Sequence, residues 1–149
     1  MKITDIVLAS SSPRRREILT MLGIPFRVVV SGADEVISGA ASPEEYVLQA
    51  AKRKNEAVLE RLKEEASITP DTLIIARDTV VVYNGIVIGK PPDEPHAILT
   101  LGMLSDSWHS VLSGLSVYYR GRTVGTAART EVKFRALSEQ EILAYVESG

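Results

Sequence analysis

The sequence contains no cysteine. Disulfides, thiolate metal sites and cysteine nucleophiles are therefore excluded, and a reducing, cytoplasmic setting is the expectation. Histidine is scarce as well: His96 and His109 are the only two, too few for a histidine-rich zinc site. Aromatic residues make up 5% of the chain, leaving few rings on which the bases of a nucleic-acid strand could stack. Nor is there a basic excess. The 17 lysines and arginines face 19 acidic residues, whereas proteins that hold a polyphosphate backbone by counterion release are usually basic. Nucleic acid is thus a disfavoured partner, and any basic chemistry must be local. No apolar run approaches the ~18 residues of a membrane span, and Met1-Lys2-Ile3-Thr4-Asp5 lacks the apolar stretch of a signal peptide. No membrane partner is expected.

What is present suits one α/β domain. A chain of 149 residues, 45% of them hydrophobic, can bury a core but is too short for two ordinary domains. Ile6-Val7-Leu8-Ala9 reads as a buried strand ended by Ser10-Ser11-Ser12-Pro13. Ser12 is a natural N-cap with Pro13 at the first helical position, and the helix runs to about Leu22 before Gly23. Phe26 to Val30 is a second strand. Ser42-Pro43-Glu44-Glu45 opens a helix with a capping box, its apolar stripe Val47, Ala51, Val58 and Leu62, and its end near Pro70. Leu73 to Tyr83 is β-rich, and Asn84-Gly85 before Ile86 to Gly89 makes a hairpin. Asp93 to Leu104 suits a short helix. Trp108 to Tyr119 and Thr123 to Phe134 read as two long strands, and Ser138 with Glu141 forms a second capping box for a last helix. Strands and helices in this order make a mixed-sheet α/β domain spanning residues 1–149.

Four local features carry possible chemistry. After Ser10 the helix begins with Arg14-Arg15-Arg16, although helix N-termini disfavour cations. Phosphate, bound bidentately by guanidinium groups, gives such a turn a reason; a solvated basic face is the alternative, and Arg16 reads as just that. Asp78 lies in the apolar run Leu73–Val82, where a carboxylate is expensive to bury unless something meets it. Its neighbour Arg77 points to the opposite face of a strand and cannot neutralise it. A partner or metal meets Asp78, or it opens into a cleft, or it is an ordinary strand-end aspartate. Lys54 falls at the 4-3-4 spacing of Val47, Ala51 and Val58, and locally reads as a lysine that snorkels to the surface. Lys90, in Gly89-Lys90-Pro91-Pro92, is stiffened by two prolines but lacks the upstream glycine of a Walker A motif. Glu35 is a loop acid that by itself signals nothing.

In order, these pieces resemble the Maf family of nucleotide pyrophosphatases, whose members include septum-formation proteins. The matching residues are Leu8-Ala9-Ser10-x-Ser12-Pro13-Arg14-Arg15-x-Glu17-Ile18-Leu19, Glu35, Ala51-x-x-Lys54, Asp78-Thr79-Val80-Val81 and Gly89-Lys90-Pro91. Leu104-Ser105, His109-Ser110-Val111, Thr130-Glu131-Val132-x-Phe134, Leu137-Ser138-x-x-Glu141-Ile142 and Tyr145-Val146 continue them to the end of the chain. The resemblance implies an elongated Maf/Ham1-like mixed sheet flanked by helices, with a cleft across the sheet, usually in a homodimer. It implies hydrolysis of a nucleoside triphosphate between the α- and β-phosphates, with magnesium or manganese. Asp78 matches the family's proton acceptor. Ser10, Arg15, Glu35, Lys54 and Lys90 match its phosphate and metal site, with Glu35 and Asp78 as metal ligands. Arg14 and Thr79 match the members that favour dTTP and UTP, whereas those taking 7-methylguanosine triphosphate have tryptophan and glutamine there.

Three departures stand out. Ala76-Arg77-Asp78-Thr79 replaces the family's Gly-Ala-Asp-Thr, and Leu104-Ser105-Asp106 replaces Leu-Ser-Gly. The family also continues beyond Glu147-Ser148-Gly149 with a segment that brings a glutamine to the base pocket, so a truncated, weakened enzyme is the expectation. The competing reading is a non-catalytic nucleotide-binding or regulatory protein on the same fold.

Overall fold

The computed structural model describes residues 3–10, 12–30, 39–89 and 91–148. Its elements are β1 (Asp5–Leu8), α1 (Pro13–Met21), β2 (Arg27–Val28), α2 (Pro43–Glu64), β3 (Thr72–Tyr83) and β4 (Ile86–Ile88). They continue with α3 (Glu94–Leu104), β5 (Trp108–Tyr119), β6 (Arg122–Lys133) and α4 (Glu139–Glu147). The sheet order is β2-β1-β3-β5-β6, with β4 paired to β3. β1 runs parallel to β2 and β3, and β3 antiparallel to β4, so the sheet is mixed as expected. The chain divides into two compact units, Met1–Thr79 with Ser113–Ala128, and Val80–Leu112 with Arg129–Gly149.

The first unit is organised by the alternation of β3. Thr72, Ile74 and Ala76 are buried while the residues between them are partly covered, the period of two that a strand with one packed face requires. Ile74 and Ala76 join Val7, Ala9, Val58 and Leu62 in one core cluster, so the buried face lies against α2. Burying a side chain such as Leu62 or Ile74 contributes about 1.5–3 kcal/mol. Two residues fix where α2 sits. Asn55 is buried, and its amide donates to the Ile74 carbonyl at 3.3 Å and the Ser116 carbonyl at 3.1 Å, tying the helix to β3 and β5. At Gly114 the helix backbone touches the sheet so closely that a Cβ would stand 2.1 Å from the Val47 carbonyl oxygen.

Helix α2 starts as expected: the Ser42 hydroxyl accepts from the Glu45 N–H at 3.1 Å. The return bond differs, since Glu45 accepts from Ala41 N–H, one residue before the cap. The helix ends at Glu64 rather than near Pro70, because Ala66 turns into the left-handed region at φ 51°. Strand β2 is shorter than Phe26–Val30, since its partner β1 ends with Leu8 opposite Val28. Ser12 is the α1 N-cap residue, but its side chain makes no capping bond; its N–H instead donates to the Ser10 hydroxyl at 3.2 Å. The β5–β6 turn places Arg120 and Gly121 at positive φ, 47° and 79°, the pattern of a two-residue type I′ turn. Arg120 is held there by Asp71 at 2.9 Å and the Pro70 carbonyl at 3.2 Å.

At the amino end of β1, Arg27 grips Asp5 with both forks, at 2.9 and 2.8 Å, and also holds Ser67. The Thr72 hydroxyl adds a third donor to the carboxylate at 2.9 Å. The Arg27 hydrogen bonds hold the Asp5 carboxyl below its ordinary value; burial opposes them, and Thr72 and the Arg27 charge assist. A folded-state pKa below the unfolded value of about 3.9 means the stabilisation is complete above that value. It is lost as pH falls through the lower folded value. Asp5→Asn is therefore expected to cost about 1 kcal/mol at neutral pH, discounted for the partly exposed pair. In urea melts the gap from the parent should close below about pH 4, whereas a gap constant from pH 7 to pH 3 would contradict the ionic origin.

The second unit contains the Asn84-Gly85 hairpin, with φ 49° and 75°, as the sequence predicts. Asp93 caps α3 by accepting from the His96 N–H at 2.9 Å, and α3 packs on α4. Ser138 caps α4 through the Glu141 N–H at 3.1 Å, and the Glu141 carboxylate accepts from Arg135 and from the Ser138 backbone, which closes the predicted box. Asp106 sits at φ 53°, so the left-handed turn that would suit a glycine is kept with aspartate in its place. His109 is buried edge-on against Phe134, their ring centroids 4.7 Å apart.

Candidate active site

The site grows from the carboxyl end of β1, where the strand stops and β3 continues. Parallel pairing carries Leu8 opposite Ile75, and the last ladder bond is Ala9 N–H to the Ile75 carbonyl at 2.9 Å. Carbonyls two residues apart on a strand face the same neighbour, and the next one, Arg77, lies past the end of β1. Two side chains serve it instead: Arg15 Nη1 donates at 2.8 Å and Lys54 Nζ at 3.5 Å. Ligands of open α/β sheets bind beyond strand carboxyl ends, and this notch is such a place.

Asp78 continues the even, buried face of β3 and so points toward α2. There Lys54 Nζ meets its Oδ1 at 2.6 Å, with the two side chains only 28% and 19% exposed. Lys54 therefore does not snorkel to the surface, and the partner that the apolar run demanded for Asp78 is this lysine. Its other oxygen, Oδ2, accepts no hydrogen bond from the described residues. A hard carboxylate oxygen left in this way suits magnesium or manganese, which proteins hold by one or two carboxylates together with substrate phosphates. Among the described residues no group of three or more acids, histidines or cysteines gathers.

The other face of β3 carries Arg77 and Thr79. Arg77 Nη2 donates to the Ser113 hydroxyl at 2.9 Å, and that hydroxyl lies 3.3 Å from Thr79 Oγ1. Arg15 spans the group: it donates to the buried Ser10 hydroxyl at 3.0 Å and reaches Thr79 Oγ1 at 3.5 Å. Burial lowers the Arg15 pKa from its ordinary value, and the Arg77 charge lowers it further, while Asp78 pulls the other way. Lys54 pairs with Asp78 on one face of β3, while Arg15 and Arg77 on the other have no carboxylate partner among the described residues, a local excess of cations that favours an anion.

The structure brings together Ser10, Arg15, Lys54, Asp78 and Thr79 from the sequence-predicted set, all in the first unit. Arg14 lies exposed on α1 and makes no bond within this network among the described residues. Glu35 and Lys90 lie outside the described residues. Ser113, Asn55 and the side chain of Arg77 join the site or its support without having been singled out as participants. Asn55 had a signal, since 51, 55, 58 and 62 share the helical spacing; a strand serine such as Ser113 had none.

The family model described as Maf-like protein matches residues 5–149. A dTTP/UTP pyrophosphatase of Neisseria gonorrhoeae is 40% identical over 147 residues, covering 99% of this chain and 73% of that protein. One of Bacillus cereus is 39% identical over 143 residues, covering 96% and 71%. Among solved structures, the Ham1 protein of Staphylococcus aureus covers 87% of this chain and 71% of its own, with a TM-score of 0.57 at 15% identity, a likeness of fold. By sequence match over nearly its whole length, the chain belongs to the Maf family.

Proposed function

We propose that the protein is a nucleoside-triphosphate pyrophosphatase that converts dTTP and UTP to the monophosphate and pyrophosphate. The observation that carries it is the Asp78–Lys54 pair at 2.6 Å, set beside Arg15 at the end of β1. Asp78 Oδ2 orients a water and takes its proton as the oxygen attacks the α-phosphorus. The bond to the β-phosphate oxygen breaks, and pyrophosphate leaves. Lys54 has three donors, so it can keep Asp78 Oδ1 in place while another N–H reaches a phosphate oxygen. Arg15 is fixed in advance by Ser10 and the Arg77 carbonyl, so neutralising the leaving charge costs little reorganisation. Asp78, with Glu35, would hold a magnesium or manganese ion, which when bound neutralises phosphate charge. Lys90 belongs to the same proposed phosphate set.

The reading includes a homodimer, testable by sedimentation, and a cytoplasmic location; no helix among the described residues is long and apolar enough to cross a membrane. Arg14 and Thr79 are the proposed pyrimidine-selecting pair. Arg14→Trp with Thr79→Gln should shift the ratio of catalytic efficiencies from dTTP toward 7-methylguanosine triphosphate, because an indole stacks on a purine where guanidinium bonds a pyrimidine edge. An unchanged ratio would place selectivity elsewhere. The general test is a nucleotide panel with magnesium and pyrophosphate detection: steady turnover of dTTP and UTP is expected, and nucleotide binding without turnover would favour the regulatory alternative.

A further inference from the structure

Arg77 is the residue that the proposed mechanism leaves unused. It is a partly buried cation beside the base, at a position where the resemblance puts alanine. Its guanidinium shares a sheet face with Arg15, and the two are bridged only by hydroxyls: Arg77 to Ser113 at 2.9 Å, Ser113 to Thr79 at 3.3 Å, Thr79 to Arg15 at 3.5 Å. Among the described residues no carboxylate pairs with either arginine, since Asp78 points to the opposite face and is committed to Lys54. Of the five N–H donors of Arg77, one is engaged. Two fixed like charges with spare donors repel each other until an anion lies between them, and planar guanidinium forks match phosphate geometry.

We propose that Arg77 and Ser113, together with Arg15, form an additional phosphate subsite that takes the pyrophosphate end of the triphosphate. The role rests on the pyrophosphatase reading, but the anion site itself does not. Arg77 is here a binding residue for the leaving group, and Ser113 orients it. The family-like alanine would leave that end of the substrate to Arg15 and the lysines alone.

The test is calorimetric titration of inorganic pyrophosphate and, separately, inorganic phosphate into the parent, Arg77→Ala, Arg77→Lys and Ser113→Ala proteins, each first checked for an unchanged melting temperature. Pyrophosphate affinity should fall about 10- to 100-fold in Arg77→Ala, the usual worth of a charge-assisted forked contact. It should recover partly in Arg77→Lys and fall less in Ser113→Ala. Pyrophosphate affinity in Arg77→Ala within twofold of the parent overturns the proposal. So does faster dTTP turnover at unchanged affinity, which would make Arg77 an obstruction. A parent protein that binds pyrophosphate through Arg77 yet hydrolyses no nucleotide supports the anion site while overturning the pyrophosphatase reading.

Discussion

Replacing Asp78 with asparagine is expected to lower dTTP turnover by about 10²–10⁴-fold, the usual contribution of a positioned base, with the fold intact. Asparagine keeps the shape and an acceptor for Lys54, so the pair's geometry at the end of β1 persists. What disappears is the ability to take a proton from water. Removing the one negative charge among Arg15, Lys54 and Arg77 also raises the local positive potential. In metal-free buffer the asparagine protein should therefore bind pyrophosphate at least as tightly as its parent, which separates loss of chemistry from loss of the site. Near-normal turnover would remove Asp78 from the catalytic role.

Gly114→Ala should produce the largest loss of stability. A Cβ there would meet Val47 O at 2.1 Å, Val47 C at 2.4 Å and Leu48 N at 2.9 Å, all of them helix backbone that cannot rotate aside. The helix must lift from β5, at a cost of about 3 kcal/mol, at the upper end for overpacking. For a chain of this length that corresponds to a drop of roughly 6–12 °C in Tm. Because α2 carries Lys54 and Asn55, the lift also withdraws Lys54 from Asp78, so turnover should fall with stability. A melting temperature unchanged by the substitution would show that α2 does not rest on β5 at this point.

The sequence was informative where a residue contradicted its surroundings. Asp78 within an apolar run calls for a partner, a metal or a cleft, and the structure supplies Lys54; the arginines at the helix N-terminus point to an anion or a solvated face. The identity of the partner was not readable. Lys54 lies 24 residues away on another element, and its helical spacing is equally that of a lysine reaching for solvent. Long, regular elements were also legible: β5 occupies Trp108–Tyr119, the bounds read from the sequence. Ends governed by tertiary partners were not. β2 stops where β1 stops, and α2 ends in a left-handed alanine that no propensity marks. Caps were readable as to residue but less so as to bonding. Ser12 stands at the N-cap of α1, yet its neighbourhood uses the Ser10 hydroxyl instead, because Ser10 also organises Arg15. Ser113 was invisible, since a serine on a half-exposed strand gains meaning only from Arg77 across the ladder.

In the proposed reaction water, activated at Asp78, attacks the α-phosphorus. Hydrolysis of dTTP in ¹⁸O-enriched water, with both products analysed by mass spectrometry, tests it most directly. One ¹⁸O atom is expected in the dTMP phosphate and none in the pyrophosphate. Label in pyrophosphate, release of orthophosphate with dTDP, or no hydrolysis at all would contradict it.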